Sequence, residues 1–319
     1  MKKKILITGA QGDIAQSICK IIRKEFKGKF KIDGIDIVES GSSEYIFDRI
    51  TKSPKANSAN YKTFIKKIIK NYFLVIPTTE AEINFFSKEK KKLNNNIYFL
   101  INKSEVVKKF LNKISTHNFL YNNNFLSTKF TLPLNHLEKY KEPFFLKTIE
   151  GHGNKSYQII NSKYKFEKLK YLNKKKWLAQ EFFNYKYEEC TCCVIKLENF
   201  ISTIILKRKL DQGKTYFVET LKDKKIEKIL VSIAKKIGLE GSINIQLKRS
   251  SRRAAIFEIN PRISGTVMMR HMLGFKDLIW WIEYLLYKKL PRKINIKNKK
   301  IFKSFQESFV LPLKSKRLK

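Results

Sequence analysis

Residues 241–265 read GSINIQLKRSSRRAAIFEINPRISG, and this stretch carries the most information about the fold. Apolar and polar residues alternate on both sides of the segment RSSRR, which predicts two strands joined by a polar turn. Because successive side chains of a strand point to opposite faces, Asn244 and Gln246 share one face, as do Glu258 and Asn260. An antiparallel hairpin would therefore bring their side-chain oxygens together.

The predicted hairpin offers hard oxygen ligands of the kind that Mg²⁺ prefers. This ion takes octahedral oxygen ligands and usually keeps waters and substrate phosphates in several positions. Gln246, Glu258 and Asn260 can supply the protein ligands, and Arg262 can neutralise charge on a transferred phosphate. The alternative is an ordinary amphipathic hairpin with a solvated face. Such a hairpin has no need of the sequence Asn-Pro-Arg-Ile-Ser-Gly after its second strand.

The composition describes a basic protein large enough for two or three packed units. The 319 residues are 43% hydrophobic, and 67 Lys and Arg against 28 acids give a net charge of +39. The lysines are scattered through nearly every segment, and no recognisable nucleic-acid module accompanies them, so we interpret the charge as solvated surface. A nucleic-acid or anionic-surface binder stays an alternative that rests on charge alone, and nucleic acid is an unlikely partner.

The cysteines and the apolar segments indicate in which cellular compartment the protein works. Cys190, Cys192 and Cys193 are too crowded in one stretch to form a disulfide framework with Cys19, which favours a reducing cytoplasm. The longest apolar segment, 278–287, is too short to span a bilayer, and we expect no membrane association.

The first hundred residues predict a parallel α/β unit. The apolar run KILIT at 4–8 is followed by the glycine turn Gly9-Ala-Gln-Gly12 and an amphipathic helix, and further strands are predicted at 31–38 and 73–76. Strands that alternate with helices indicate a parallel sheet. We place the end of this unit near Asn102, after the strand IYFLI.

The remainder predicts an α+β arrangement. Helices follow from 103 to about 124, and the strands at 143–147 and 157–160 flank a glycine-containing loop, which describes a hairpin with a flexible tip. Further strands are expected at 177–183, 190–195 and 201–206, and a helix at 225–237. We assign domains at 1–102, 103–176 and 177–290, with 291–319 as a basic C-terminal extension.

The sequence FEINPRISG, with INIQ upstream, resembles the metal-binding end of the ATP-grasp superfamily, and in particular its relatives of the carbamoyl phosphate synthase large-subunit type. The likeness extends from Lys4 to about Leu290. It implies a Rossmann-like pre-ATP-grasp domain followed by two lobes that clasp ATP. It also implies ATP and Mg²⁺ (or Mn²⁺) as cofactors, with Gln246, Glu258 and Asn260 as metal ligands.

The resemblance assigns further roles residue by residue. Lys147 would contact the ATP phosphates, and Lys155, in the loop 151–156, would pair with their anionic oxygens. Gln180 and Glu181 match the segment that hydrogen-bonds adenine through a side chain and a backbone edge. Glu189, or Glu188 beside it, matches the acid that binds the ribose hydroxyls. Arg208 matches a basic residue near the phosphates.

A second interpretation starts from the N-terminal glycine turn. Gly9, Gly12 and Ala15, with Asp36 at the end of the next strand, resemble a dinucleotide fingerprint, which would indicate an NAD(P)-dependent oxidoreductase or epimerase. Thr78, Thr79, Glu80 and Glu82 follow a parallel strand, where they either contact a substrate or cap a helix.

We predict an ADP-forming ligase. The γ-phosphoryl group of ATP passes to a substrate carboxylate, and an amine then attacks the acyl phosphate. The catalytic residues would be Lys147 and Arg262, which neutralise charge and position the phosphates. The partners are small carboxylate and amine substrates, whose identity the sequence leaves open, as it does the formation of a homo-oligomer.

Overall fold

The computed structural model shows a mixed α/β protein built on three sheets. It describes residues 2–39, 41–93, 96–131, 143–149, 157–162, 177–184, 186–251, 253–292 and 294–304. No helix within these ranges is long and apolar enough to cross a membrane.

The N-terminal unit is the predicted parallel α/β unit. Its five-stranded parallel sheet has the order β3-β2-β1-β4-β5, with strands β1 (Lys4–Thr8), β2 (Lys31–Asp36), β3 (Arg49–Lys52), β4 (Leu74–Ile76) and β5 (Tyr98–Phe99). The helices are α1 (Asp13–Glu25), α2 (Ala59–Ile68) and α3 (Glu80–Leu93). The central strand β1 is apolar on both faces because helices cover both, and Ile5, Leu6 and Ile7 are fully buried. Strand β3 was not predicted from the sequence because it is a short edge strand without a buried residue.

Two helices lead from this unit into a smaller antiparallel sheet. Helices α4 (Ser104–Leu111) and α5 (Lys113–Asn122) confirm the predicted helical connector. The sheet has the order β6-β9-β7-β8, with strands β6 (Phe130–Thr131), β7 (Phe144–Thr148), β8 (Tyr157–Ile160) and β9 (Trp177–Glu181). Strands β7 and β8 pair antiparallel, as the predicted hairpin requires, and the loop 151–156 lies outside the described residues.

The predicted boundary at 176/177 divides this smaller sheet. Strand β9 was assigned to the C-terminal lobe from its place in the chain, but its backbone pairs with β7 along five residue pairs. Hydrogen bonding across the sheet therefore places residues 177–181 with the small lobe, a pairing that strand patterning alone does not reveal.

The third sheet has six strands in the order β14-β13-β10-β11-β12-β15. They are β10 (Glu188–Leu197), β11 (Phe200–Asp211), β12 (Lys214–Leu221), β13 (Gly241–Arg249), β14 (Ala254–Asn260) and β15 (Lys300–Phe302). Helix α6 (Lys224–Lys236) packs on it, and Asp223 caps this helix by accepting hydrogen bonds from two backbone N–H groups. Strand β15 lies in the segment expected to be a weakly patterned extension. Three residues that pair at a sheet edge leave little periodic signal.

The N-terminal unit and the large sheet share one core. Helices α7 (Val267–Met272) and α8 (Asp277–Tyr287) follow β14 and pack against α1. The fully buried Asn102 donates from Nδ2 to the backbone oxygens of Ser242 and Pro261, both at 2.9 Å. One side chain at the end of the N-terminal unit thus anchors the strand and the loop that carry the predicted metal site.

Candidate active site

The register of the β13–β14 hairpin brings the predicted metal ligands together. Gln246 pairs with Glu258 and Asn244 pairs with Asn260, with a bulge after Gln246. Asn260 Nδ2 donates to Glu258 Oε1 at 3.2 Å, which orients both side chains. Because the amide nitrogen of Asn260 is engaged in this way, its oxygen is left to act as a ligand. The hairpin thus pairs antiparallel and brings these side chains to one end, and their role as metal ligands stays a prediction.

A charged network lies beside this cluster. Arg208 donates to Glu189 Oε1 from Nε (2.9 Å) and Nη2 (2.6 Å), and Nη2 also donates to Gln246 Oε1 at 2.8 Å. Lys248 Nζ lies 2.7 Å from the other oxygen of Glu189. Burial alone would raise the pKa of Glu189, but Arg208 and Lys248 outweigh it and lower the pKa. The carboxylate is therefore ionised at neutral pH.

Glu188, the alternative to Glu189, does not line the same space. Its carboxylate pairs with Lys207 and with Arg249 Nη1, the latter at 3.3 Å. Successive residues of a strand face opposite sides, and here Glu189 is the one that faces the cavity described below.

Lys147 extends from β7 between two aromatic rings. Its Nζ lies 5.3 Å from the ring centre of Phe145 and 5.2 Å from that of Phe257. Burial lowers the pKa of Lys147 to about 8, although the charge of Glu258 opposes this shift. A cation held in this way lacks full hydration, so it attracts an incoming anion more strongly than an exposed lysine would.

Gln180 links the two lobes through its buried side chain. Its Nε2 lies 2.8 Å from Thr128 Oγ1, 3.1 Å from Phe257 O and 2.9 Å from His117 Nε2. Burial and the charges of Lys147 and Lys113 lower the pKa of His117 to about 3, so the ring is neutral and can accept a hydrogen bond. The two amide hydrogens of Gln180 are therefore already used within the protein.

Glu181 is also engaged. Arg253 donates to both of its carboxylate oxygens, at 2.6 and 2.9 Å, and the backbone N–H of Lys129 donates to Oε2 at 3.0 Å. Together with the contacts of Gln180, this geometry gives both side chains a structural role. Their predicted contact with adenine stays a prediction.

Arg262 occupies the start of the loop after β14. Its Nη2 lies 3.8 Å from Glu80 Oε1, and Nη1 donates to the backbone oxygen of Ile263 at 3.2 Å. Its Nε is buried and has no hydrogen-bond partner among the described residues. A buried donor without a partner is uncommon, and it is consistent with a ligand that the protein binds at this position.

The side chains after β4 divide between a structural role and the cavity. Thr78 donates to the backbone oxygen of Thr8 at 2.6 Å, and Thr79 donates to Glu82 Oε2 at 2.6 Å. Burial raises the pKa of Glu82, which lies at the first turn of α3. The carboxylate of Glu80 faces Arg262 instead. These bonds hold the local fold. Thr78, Thr79 and Glu80 also line the cavity described below, whereas Glu82 does not, so contact with a substrate stays a prediction for the first three residues.

The N-terminal glycine turn is closed by its own acid. Asp36 accepts hydrogen bonds from the backbone N–H groups of Gln11 (2.9 Å) and Val38 (3.2 Å), one on each carboxylate oxygen. In a dinucleotide site the corresponding acid binds a ribose hydroxyl. Here Asp36 stabilises the turn, as Gly9 does with a φ of +64°, where an added Cβ would lie 2.6 Å from Thr79 Cγ2.

A cavity of about 680 Å³ connects these groups. Its volume is typical of a site for a nucleotide-sized ligand. Of the predicted site residues, it is lined by Lys147, Gln180, Glu181, Glu189, Arg208, Gln246, Glu258, Asn260 and Arg262. Glu188 does not line it, and Lys155 lies outside the described residues. Lys248 also lines the cavity but was not predicted from the sequence, although its place two residues after Gln246 puts it on the same face of β13.

No group of three or more His, Cys, Asp or Glu residues that could hold a metal ion occurs in the described part of the chain. The predicted ligand set, one carboxylate and two carboxamides, does not form such a group. The four cysteines are buried and free, and burial raises the pKa of Cys19 to about 11 and that of Cys190 to about 12. Their thiols are therefore protonated and unsuited to metal binding at neutral pH.

Comparison with known proteins supports the fold. Residues 173–303 match a family model described as "ATP-grasp in the biosynthetic pathway with Ter operon". This match spans less than half of the chain. No curated protein sequence matches.

Solved structures similar to this one cover most of the chain. One is N5-carboxyaminoimidazole ribonucleotide synthetase from Thermus thermophilus, with a TM-score of 0.73, 10% identity, and coverage of 93% of this chain and 81% of that chain. N5-carboxyaminoimidazole synthetase from Staphylococcus aureus complexed with ADP has a TM-score of 0.72, 15% identity, and coverage of 92% and 80%. A biotin carboxylase complex from Campylobacter jejuni has a TM-score of 0.70, 16% identity, and coverage of 92% and 73%. At these identities, what is shared is the fold.

Proposed function

Because this chain has the ATP-grasp fold, we propose that it is a Mg²⁺-dependent, ADP-forming ligase that joins a carboxylate to an amine. The observation that carries the proposal is one cavity in which the oxygens of Gln246, Glu258 and Asn260 lie among the cations Arg208 and Arg262. Lys147 and Lys248 add two further positive charges to the same cavity. This combination suits a nucleoside triphosphate, whose phosphates need both a metal and direct cationic partners.

The ligand set fits Mg²⁺ or Mn²⁺. Glu258 supplies the one carboxylate of the set, and Gln246 and Asn260 supply neutral amide oxygens. Mg²⁺ binds through one or two carboxylates and completes its shell with waters and phosphates. With the ion in place, the charge of the bound phosphates is partly neutralised. A site with a single carboxylate among several cations is expected to bind the ion together with the nucleotide.

The surrounding residues would contact different parts of the nucleotide. Lys147 and Lys155 would contact the phosphates, and Arg262 would stabilise charge on the transferred phosphoryl group. The carboxylate of Glu189, held ionised by Arg208 and Lys248, is suited to accept hydrogen bonds from ribose hydroxyls. Gln180 and Glu181 would lie near the adenine.

The proposed reaction needs no side-chain nucleophile. The substrate carboxylate attacks the γ-phosphorus, ADP leaves, and an acyl phosphate forms. The neutral amine then attacks the acyl carbon, the bond to the phosphate oxygen breaks, and the one proton lost from the amine nitrogen leaves with the phosphate. The protein contributes positioning and charge neutralisation. The names of the similar structures, a synthetase crystallised with ADP and a carboxylase, support this class of reaction.

The oxidoreductase alternative is less well supported. One carboxylate oxygen of Asp36 accepts a hydrogen bond from the backbone N–H of Gln11 in the glycine turn, and the other accepts from the backbone N–H of Val38. A dinucleotide ribose would have to displace these bonds.

Ligand-dependent thermal stability tests the nucleotide class. A ligand that binds only the native state stabilises it, by about 2.7 kcal/mol at a hundredfold excess over its Kd. We expect ATP with Mg²⁺ to raise the melting temperature, and NAD or NADP to leave it unchanged. As a matched control, Glu240→Ala removes a surface carboxylate that is 53% exposed and pairs with Lys103. This variant should respond to MgATP as the wild type does. Stabilisation by NAD and not by MgATP would contradict the proposal.

A further inference from the structure

A second, much smaller cavity adjoins the large one and shares part of its wall. Its volume is about 10 Å³, which is about the space that one water molecule needs. Glu80, Lys113 and Glu258 line both cavities, whereas His117 lines only the small one. We call this small space the rear cavity. The predicted metal ligand Glu258 therefore faces the large cavity on one side and the rear cavity on the other.

His117 brings an unused hydrogen-bond donor to the rear cavity. This residue is 1% exposed, and its ring stacks on Phe130 with the ring centres 4.3 Å apart. Gln180 Nε2 lies 2.9 Å from Nε2 of the ring. Because a side-chain amide nitrogen only donates, Nε2 of His117 accepts, and the hydrogen of the neutral ring is on Nδ1. Nδ1 is buried and has no hydrogen-bond partner among the described residues.

The rear cavity offers what an ordered water molecule needs. A buried N–H group without a partner is rare in folded proteins, and buried water is a usual way to satisfy such a group. His117 supplies the donor, and the carboxylates of Glu80 and Glu258 supply acceptors. The hydroxyl of Thr116, which also lines this cavity, already donates to the backbone oxygen of Asn112 at 3.0 Å. Charged acceptors form the stronger hydrogen bonds, so both hydrogens of a water are directed to the carboxylates.

We propose that His117 orients one buried water molecule, which donates to the carboxylates of Glu258 and Glu80. This inference rests on the proposed function, because it gives His117 a part in holding a ligand of the metal. Glu258 is then supported by two groups, since Asn260 Nδ2 donates to its Oε1 at 3.2 Å. The shared water also offsets the repulsion between two carboxylates that face the same small space. His117 is thus a positioning residue that acts on the metal through Glu258.

Two substitutions at His117 separate the roles of its ring nitrogens. In His117→Asn the amide nitrogen takes about the place of Nδ1 and can donate into the rear cavity. In His117→Gln the longer side chain reaches the place of Nε2 and leaves Nδ1 unreplaced. Both variants lose the stack on Phe130, so they are matched in that respect. Gln180 keeps Thr128 Oγ1 and Phe257 O as acceptors in both.

The metal dependence of nucleotide binding tests the proposal. The non-hydrolysable ATP analogue AMPPNP is titrated calorimetrically, first in EDTA and then with saturating Mn²⁺. The ratio of the two dissociation constants measures how strongly metal and nucleotide are coupled. We expect this ratio to be about tenfold smaller for His117→Gln than for the wild type, as for loss of a group that orients a metal ligand. His117→Asn should keep the wild-type ratio, and affinity in EDTA should be the same in all three proteins.

A high-resolution crystal structure of the wild type provides a second measurement, which does not depend on the folding of the variants. It should show one water within hydrogen-bond distance of His117 Nδ1 and of Glu258. A rear cavity without this water would overturn the proposal.

The titrations also have results that reject the proposal. If His117→Gln keeps the wild-type ratio, His117 does not act on the metal. Equal reductions in His117→Gln and His117→Asn would assign the effect to the lost stack on Phe130 and would likewise reject the water. If AMPPNP fails to bind the wild type both in EDTA and with Mn²⁺, the proposed function itself is wrong, and this result is obtained before any substitution at His117.

Discussion

Replacement of Lys147 by methionine should stabilise the protein without ligand and weaken nucleotide binding. Burial lowers the pKa of this lysine from 10.5 to about 8. A shift of this size corresponds to about 3 kcal/mol of unfavourable free energy for the protonated form. Since the side chain keeps some contact with solvent, we expect Lys147→Met to raise the free energy of unfolding at pH 7 by about 1–3 kcal/mol. Methionine preserves the length of the aliphatic stem between the two aromatic rings.

The pH dependence has a definite sign. Below pH 8 the lysine is protonated in both the folded and the unfolded state, and the full penalty applies. As the pH rises from 8 towards 10.5, the folded protein loses this proton before the unfolded chain does, so the penalty declines. The stabilisation given by Lys147→Met should therefore be largest at about pH 7 and less than half as large at about pH 9.5.

Melting temperatures measured by calorimetry at about pH 7 and pH 9.5 test this prediction. A change of 1 kcal/mol corresponds to about 2 °C in a protein of this size. Lys235→Met, on the exposed face of α6, is the control and should change little at either pH. With MgATP the order should reverse at neutral pH, because the wild type gains more from the ligand than the variant. A Lys147→Met protein that melts lower than the wild type at neutral pH, or that keeps its full response to MgATP, would refute the reasoning.

Two further predictions concern the hairpin and its anchor. Glu258→Ala should abolish Mg²⁺-dependent ADP release, because it removes the charged metal ligand from the cavity. The melting temperature without ligand should stay within about 1–2 °C of wild type, since no core contact is lost. Turnover near the wild-type rate would reject the metal assignment. Asn102→Ala leaves the buried backbone oxygens of Ser242 and Pro261 without this donor, and we expect a loss of about 1–3 kcal/mol per oxygen in denaturant unfolding. A loss below about 0.5 kcal/mol in total would show that Asn102 does not anchor the loop.

The sequence predicted those parts of the fold that have a strong local pattern. The run KILIT with its glycine turn, and the alternation on both sides of RSSRR, each give a definite period or turn residue, and β1, α1, β13 and β14 follow them. Edge strands were missed. Residues 49–52 and 300–302 contribute short pairings whose residues are mostly exposed, so hydrophobic periodicity cannot reveal them.

The candidate site divides in the same way. Residues on the hairpin face could be predicted because strand geometry fixes which side chains meet, and Gln246 and Glu258 are direct partners in the structure. Partnerships that depend on distant segments could not. Gln180 forms hydrogen bonds with Thr128 and His117, and Glu181 accepts hydrogen bonds from Arg253. The partners in these bonds are 52 to 72 positions apart in the chain. The hydrogen bond from Arg270 to Ser264 likewise depends on how helix α7 packs against the loop that follows β14.

Product analysis with hydroxylamine tests the central claim most directly. The wild-type protein, MgATP and a panel of carboxylates are incubated with hydroxylamine, a small nucleophile that intercepts an acyl phosphate. We predict a hydroxamate from the correct acid, with ADP and phosphate released in equal amounts and neither formed without Mg²⁺. AMP and pyrophosphate in their place would contradict the account, because the carboxylate would then be activated by adenylation, and ADP without any hydroxamate would indicate a kinase.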